Sequence, residues 1–138
     1  MPAMGLFDFL KSKQDINGQF VTEKAFGHNM TKQLQMVPQT MEQLRKIDVS
    51  ADKELKLEYF FYTNTIDKAK RFASELEKLN YKVDHGQSAG DKKSFVITGW
   101  TTKMKMETHI VANWTKQMCE LGYKFDCDFD GWGTSPEQ

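Results

Sequence analysis

The sequence predicts an α+β fold, in which amphipathic helices pack on an antiparallel β-sheet. In its longer stretches apolar residues recur at threes and fours, the helical period, and in the short stretches between them they cluster or alternate, as in strands. Turn residues such as glycine and asparagine separate the two kinds of stretch. A chain of 138 residues is long enough for one domain with a sizeable core and is short for two.

The first predicted elements are an arm and a helix. We expect residues 1–25 to form an N-terminal arm, either flexible or packed on its own domain, and residues 26–138 to form a single domain. A helical stripe runs from Asn29 to about Lys46, with a bend or an interruption at Pro38. Its apolar members are Met30, Leu34, Val37, Met41, Leu44 and Ile47.

A strand and a second helix follow. Residues 55–63 read LKLEYFFYT, and this aromatic-rich run predicts a strand that is covered on both faces. Thr65 is placed to cap the next helix, and Asn80 is placed to end it. The predicted inward face of this helix consists of Ile66, Ala69, Phe72, Ala73, Leu76 and Leu79.

The remaining predicted elements are a hairpin, a helix and a final strand. Residues 81–87 and 95–101 predict two strands joined by the turn sequence SAGDKK. A helix is expected from about Met106 to Leu121, and Gly122 is expected to end it. The residues after it alternate, which predicts a half-buried strand whose aspartates all face solvent. The apolar members are Tyr123, Phe125, Cys127 and Phe129, and the polar members are Lys124, Asp126, Asp128 and Asp130.

The predicted order is strand, helix, strand, strand, helix, strand. This order defines a ferredoxin-like βαββαβ sandwich, here with an additional N-terminal helix. Its sheet is antiparallel, the two crossover helices lie on one face, and the strand that carries the aspartates lies at an edge of the sheet.

The closing sequence DCDFDGWGTSPEQ also fits the pattern of a calcium-binding loop, from Asp126 to Glu137. Such a loop lies between two helices, and the second helix delivers the last ligand. Here the residues before the loop alternate as in a strand, and Pro136 disfavours helical geometry next to Glu137. We therefore interpret the aspartates as the polar face of a strand and predict no metal site.

Composition and motifs argue against several classes of protein. Lys plus Arg and Asp plus Glu are equal at 19 each, so no net charge draws the chain to nucleic acid or to an anionic membrane. No apolar run reaches the roughly 20 residues of a membrane helix and no signal peptide is found, so a cytoplasmic protein is expected. No catalytic or nucleotide-binding motif is present, and we expect neither an enzyme nor a cofactor. Cys119 and Cys127 fit small core residues better than a disulfide or a zinc site.

An RNA-binding module is the alternative interpretation, because RNA-recognition domains share this element order and stack bases on aromatic residues of two strands. The sequence KSFVITGW matches part of the third-strand motif of such domains, with Lys93 at its first position, Phe95 at its third and Trp100 at its eighth. Further lysines give this hairpin a local positive charge; they are Lys92, Lys103 and Lys105.

Two stretches carry a resemblance to a known family. They are MEQLRKIDVSADKELKLEYFFYTNTIDKAKRFASELEKLNYKV, which begins at Met41, and the closing DFDGWGT, which ends at Thr134. Together they resemble the regulator of ribonuclease E activity B family, whose members close with a Tyr/Phe-Asp-Gly-Trp-Gly signature. The resemblance implies a ferredoxin-like, cytoplasmic protein that binds the endoribonuclease ribonuclease E and lowers its activity without doing chemistry.

The resemblance also directs attention to the acidic residues beside the signature. The strongly acidic members carry an acidic tail, whereas this chain is neutral and keeps one acidic cluster near Trp132. If the chain engages a basic protein partner, we expect contact through Asp126, Asp128 and Asp130. Trp132 is a candidate anchor there, since tryptophan is enriched at interface hot spots, and the methionine-rich helix is a candidate neighbour.

Overall fold

The structure is a computed structural model that describes residues 18–90 and 93–138. Three helices are described: α1 (Glu23–Lys46), α2 (Ile66–Glu77) and α3 (Thr108–Lys124). The strands are β1 (Glu54–Leu55), β2 (Leu57–Thr63), β3 (Lys82–Gln87), β4 (Phe95–Trp100), β5 (Met104–Lys105) and β6 (Asp128–Thr134). The described chain is therefore of the predicted α+β class.

Four strands form the main sheet, in the order β3-β4-β2-β6, and every neighbouring pair is antiparallel. The last strand pairs only with β2, so β6 lies at one edge of the sheet, as predicted. The short strands β1 and β5 pair with each other in a second, two-stranded sheet that the sequence pattern did not predict. A strand of two residues is too short to show an alternation of apolar and polar residues.

The core lies between one face of the main sheet and the helices. Phe61 of β2 packs edge-on against Phe72 of α2, with 4.6 Å between ring centroids. Phe129 of β6 contacts Phe61 on one side and Trp114 of α3 on the other. These contacts show which row of each strand faces the helices, because side chains directly opposite each other in an antiparallel pair share a face.

The first helix begins earlier than its apolar stripe predicts. Thr22 caps it by accepting a hydrogen bond from the backbone N–H of Ala25, so the helix starts at Glu23 and continues through Pro38. Val21, in the segment predicted as an arm, is buried. Residues 1–17, which include the apolar start of that arm, lie outside the described residues.

Two helix-capping predictions are confirmed. The hydroxyl of Thr65 accepts a hydrogen bond from the backbone N–H of Lys68 at the start of α2. Asn80 adopts a φ of 65°, the left-handed conformation that follows many helices. Three residues predicted to face inward are instead exposed, because they lie at helix ends beyond the sheet; they are Ile47, Ile66 and Leu79.

In the described structure only one face of the first long strand is fully buried, which corrects the prediction of burial on both. Leu57, Tyr59, Phe61 and Thr63 are buried, whereas the residues between them are half-buried. The aromatic density of this strand therefore has two causes. One row fills the core, and the other row remains on the opposite face of the sheet.

The predicted end of α3 is wrong. The helix continues through Gly122 to Lys124, so Tyr123 belongs to the helix, where its ring stacks on that of Phe26 at 4.3 Å. Gly122 is buried for a packing reason, since a Cβ atom there would lie 2.7 Å from the carbonyl oxygen of Cys127 and 2.9 Å from the ring of Phe61. Four alternating residues fit the end of an amphipathic helix as well as a strand.

Candidate functional site

The predicted closing strand exists, but its alternation breaks at a β-bulge. Phe129 pairs with Phe61, whereas Gly131 pairs with Phe60, and Asp130 is left without an opposite residue. Gly131 has a φ of 126°, a conformation that glycine adopts far more readily than other residues. Beyond the bulge the even-numbered Trp132 therefore faces the helices, which the simple alternation did not predict.

Asp126 lies in the turn before β6 rather than on the strand, which corrects the expectation that the three aspartates project together. It has a φ of 59°, and its carboxylate accepts hydrogen bonds from the backbone N–H groups of Phe20 and Val21 at 2.7–2.9 Å. The ammonium of Lys68 donates to the same carboxylate at 2.6 Å. Asp126 thus connects α2 and the segment before α1 to the start of β6.

Asp128 is the first residue of β6 and is half-buried. The side-chain amide of Asn29 donates to its carboxylate at 3.2 Å. Burial raises the pKa of the Asp128 carboxyl group, and repulsion from Asp130 adds to the increase, while the positive charge of Lys32 opposes it. Asp128 is therefore a carboxylate that an added cation would stabilise.

Asp130 and Trp132 complete the predicted site residues. Asp130 is exposed at the bulge. Trp132 is half-buried, with its ring edge-on to that of Trp114 at a centroid distance of 6.4 Å. The structure therefore brings Asp128, Asp130 and Trp132 to one strand and sets Asp126 apart in a structural role.

The N-terminal half of α1 covers the outer edge of β6. The side-chain amide of Asn29 donates to the backbone carbonyl of Phe129 at 2.7 Å, and Gln33, which is buried, donates to Asn29. An edge strand presents unpaired backbone groups that attract other strands. The helix satisfies one of these groups and so limits strand addition at this edge.

Both cysteines are free and buried. Burial raises the pKa of the Cys119 and Cys127 thiols to about 12, so both remain protonated at neutral pH. Within residues 18–90 and 93–138, no group of three or more His, Cys, Asp or Glu side chains is placed to hold a metal ion. No helix in the same ranges is long and apolar enough to cross a membrane.

The register of β4 turns part of the third-strand RNA motif towards the helices and leaves Trp100 on the other face. Phe95 pairs with the buried Thr63, and Ile97 pairs with the buried Phe61. Phe95, at the third motif position, therefore faces the helices, as does Ile97, which is fully buried. Lys92, part of the predicted positive patch, lies outside the described residues.

The other face of the sheet carries a feature that the sequence analysis did not identify. We call it the open face: the side of the main sheet opposite α2 and α3. From the register, β2 and β4 place Glu58, Phe60, Tyr62, Val96, Thr98 and Trp100 on it. The outer strands β3 and β6 add Lys82, Asp84, Gly86, Asp128, Gly131 and Gly133. The sequence alone does not show which alternate residues of neighbouring strands share a face, so this face could be recognised only from the strand register.

Comparisons with known proteins agree on one family. Residues 36–134 match the family described as Regulator of ribonuclease activity B. A protein of that name from Xenorhabdus nematophila is 23% identical over 109 residues, which cover 78% of this chain and 77% of the relative. This chain, an α+β protein with an acidic and bulged edge strand, is thus similar to proteins named as regulators. The chain belongs to the Regulator of ribonuclease activity B family, which confirms the resemblance carried by its closing signature.

Proposed function

We propose that this protein is a noncatalytic, cytoplasmic regulator that binds an endoribonuclease of the ribonuclease E type and lowers its activity. The observation that carries the proposal is the family match, which spans the whole of the main sheet. The described residues add support, because their thiols are buried and their acidic side chains do not gather as metal ligands. Binding is the function that such a surface can perform without chemistry.

The proposed contact site is the acidic start of β6 and its bulge. Asp130 is exposed there, and the half-buried Asp128 lies within the influence of its negative charge. A lysine or arginine of the partner would relieve the repulsion between these carboxylates, and that relief favours binding. Trp132, half-buried on the helix-facing side of the same strand, is the proposed anchor at the edge of this site, and Asp126 supports the site by holding the turn that precedes it.

We also propose that residues 26–138 form one ferredoxin-like domain. The strand order β3-β4-β2-β6 supports this topology, because the first and third long strands are central and the second and fourth are at the edges. The helix α1 and the small β1-β5 sheet are additions to it.

The test compares the affinity of purified endoribonuclease for two variants with matched changes. One variant combines Asp128→Asn with Asp130→Lys, and we expect its affinity to fall by about tenfold or more. The control combines Asp52→Asn with Glu120→Lys, which make the same change of charge at exposed carboxylates away from β6, and its affinity should match that of the wild type. Circular dichroism and urea titration verify that both variants fold. Equal affinities for the two folded variants would remove the aspartates from the contact site.

A further inference from the structure

Three aromatic residues on two adjacent strands share the open face, and we call them the aromatic row. Phe60 and Tyr62 lie on β2, and Trp100 lies on the adjacent strand β4. All three are half-buried, and none of them belongs to the core cluster. In the described part of the chain, each helix approaches the sheet from the other face or along the β6 edge. Within residues 18–90 and 93–138, no helix therefore covers the row.

Glycines flank this row where the backbone does not require them. Gly133 lies opposite Glu58 and Gly86 lies opposite Val96, both on the open face. Neither has a positive φ, and a Cβ atom at either position would meet no heavy atom within 4 Å. Glycine within a strand weakens it, and it often marks a place where a ligand or another backbone approaches closely. Neither glycine places a side chain beside the aromatic row.

The charges of the open face select the partner. Glu58, Asp84 and Asp128 are acidic, and Lys82 is the one base that the described strands place on this face. A negative surface repels the phosphates of RNA, whose binding depends on cationic side chains. It also opposes a second copy of this chain, because the same carboxylates would meet. An arginine can stack on an aromatic ring and pair with a carboxylate at the same time.

We propose that the open face binds an extended, arginine-bearing segment of a protein partner. The arginine side chains stack on Phe60, Tyr62 and Trp100 and pair with the surrounding carboxylates, while the glycines allow the segment's backbone to lie close to the sheet. The identification of that partner as the nuclease rests on the proposed function, whereas the expected binding of an arginine-bearing segment rests on the surface alone.

The test uses a substitution that should stabilise the protein and at the same time obstruct the open face. Gly133→Val adds a β-branched side chain to a strand where space is open, so we expect a higher urea midpoint. The same side chain projects from the open face opposite Glu58, where the proposal places the backbone of the bound segment. We therefore expect at least a roughly tenfold loss of affinity for a labelled synthetic peptide of alternating arginine and leucine, measured by fluorescence anisotropy.

Gly27→Ala is the matched control. It also stabilises the fold, because glycine inside a helix is unfavourable and a Cβ atom there meets nothing within 4 Å. It lies on α1, away from the open face, so peptide affinity should stay at the wild-type value. Trp100→Leu provides a second test and should also weaken peptide binding.

Several results would overturn the inference. They are failure of the wild type to bind the peptide, unchanged peptide affinity of Gly133→Val, and tighter binding of mixed-sequence single-stranded RNA than of the peptide. Dimerisation of the wild type that Gly133→Val abolishes would assign the face to a second copy instead. If the wild type inhibits the nuclease but does not bind the peptide, the inference fails and the proposed function stands. If the peptide binds as expected but the nuclease is not bound, the proposed function fails and the inference stands.

Discussion

The carboxylate of Asp126 lies 2.6 Å from the ammonium of Lys68, and both side chains are about four-fifths buried. The same carboxylate accepts hydrogen bonds from two backbone N–H groups in the segment before α1. The ammonium of Lys68 also donates a hydrogen bond to the backbone carbonyl of Gly18. One ion pair thus joins three parts of the chain that are far apart in sequence. It fixes the turn from which the acidic strand begins.

Asp126→Asn should lower the free energy of unfolding by about 1.5–3 kcal/mol, the range for hydrogen bonds to a charged group. Asparagine tolerates the positive φ of this position, so the loss reports the charge rather than backbone strain. Urea denaturation measures it. A double-mutant cycle with Lys68→Met should show coupling between the two residues.

The exposed pair of Lys78 and Glu75 is the control for that cycle. Its atoms approach to 3.1 Å, but the lysine side chain is 69% exposed, so Lys78→Met should change stability by less than about 1 kcal/mol. If the substitutions at Lys78 and Asp126 lowered the free energy of unfolding equally, burial would not explain the strength of the Asp126–Lys68 pair.

Gly122→Ala should destabilise the protein by about 1–3 kcal/mol, the usual range for overpacking a core. The added methyl group meets the carbonyl oxygen of Cys127, which is backbone and cannot move aside cheaply. Thermal and urea denaturation provide the measurement. A neutral substitution would contradict the packing role of Gly122.

The sequence predicted β6 as a strand but misplaced its start and its faces, for identifiable reasons. The alternation from Tyr123 to Phe129 spans a helix end, a left-handed turn at Asp126 and the first strand residues. Only tertiary packing assigns each apolar residue to its element, as the stacking of Tyr123 on Phe26 shows. The bulge at Asp130 then reverses the parity, and its signal in the sequence was the glycine that follows.

Asp128→Asn should alter the pH dependence of stability. The folded pKa of Asp128 lies above its ordinary value of 3.8, so the folded state holds this proton more tightly than the unfolded state. Its ionisation therefore lowers stability as the pH rises from about 3.8 through the folded pKa. Urea titrations across this acid range should show that loss in the wild type and a smaller one in Asp128→Asn. Parallel curves for the two proteins would contradict the expectation.

Thr98→Val should leave stability unchanged or raise it. The hydroxyl oxygen of Thr98 is buried on the open face without a hydrogen-bond partner among the described residues. Burying such a group costs free energy, and valine has the same shape without the polar atom. Differential scanning calorimetry checks the direction. A clear loss of stability would indicate that the hydroxyl has a partner in solution.

The candidate site was harder to predict than the fold. The aspartates and Trp132 could be named from the closing signature, but the internal role of Asp126 depends on Lys68, which lies 58 positions away in the chain. The open face could not be predicted at all, because Phe60 and Phe61 are alike in sequence. The strand register alone places Phe61 in the core and Phe60 on the opposite face.

The most direct test of the proposed function is a titration of the wild-type protein against a fixed amount of purified endoribonuclease, with RNA cleavage and complex formation measured in the same samples. We expect cleavage to fall in proportion to the complex formed, and we expect the protein alone to leave the RNA intact. Undiminished cleavage in the presence of a saturated complex, or cleavage of RNA by the protein alone, would contradict it.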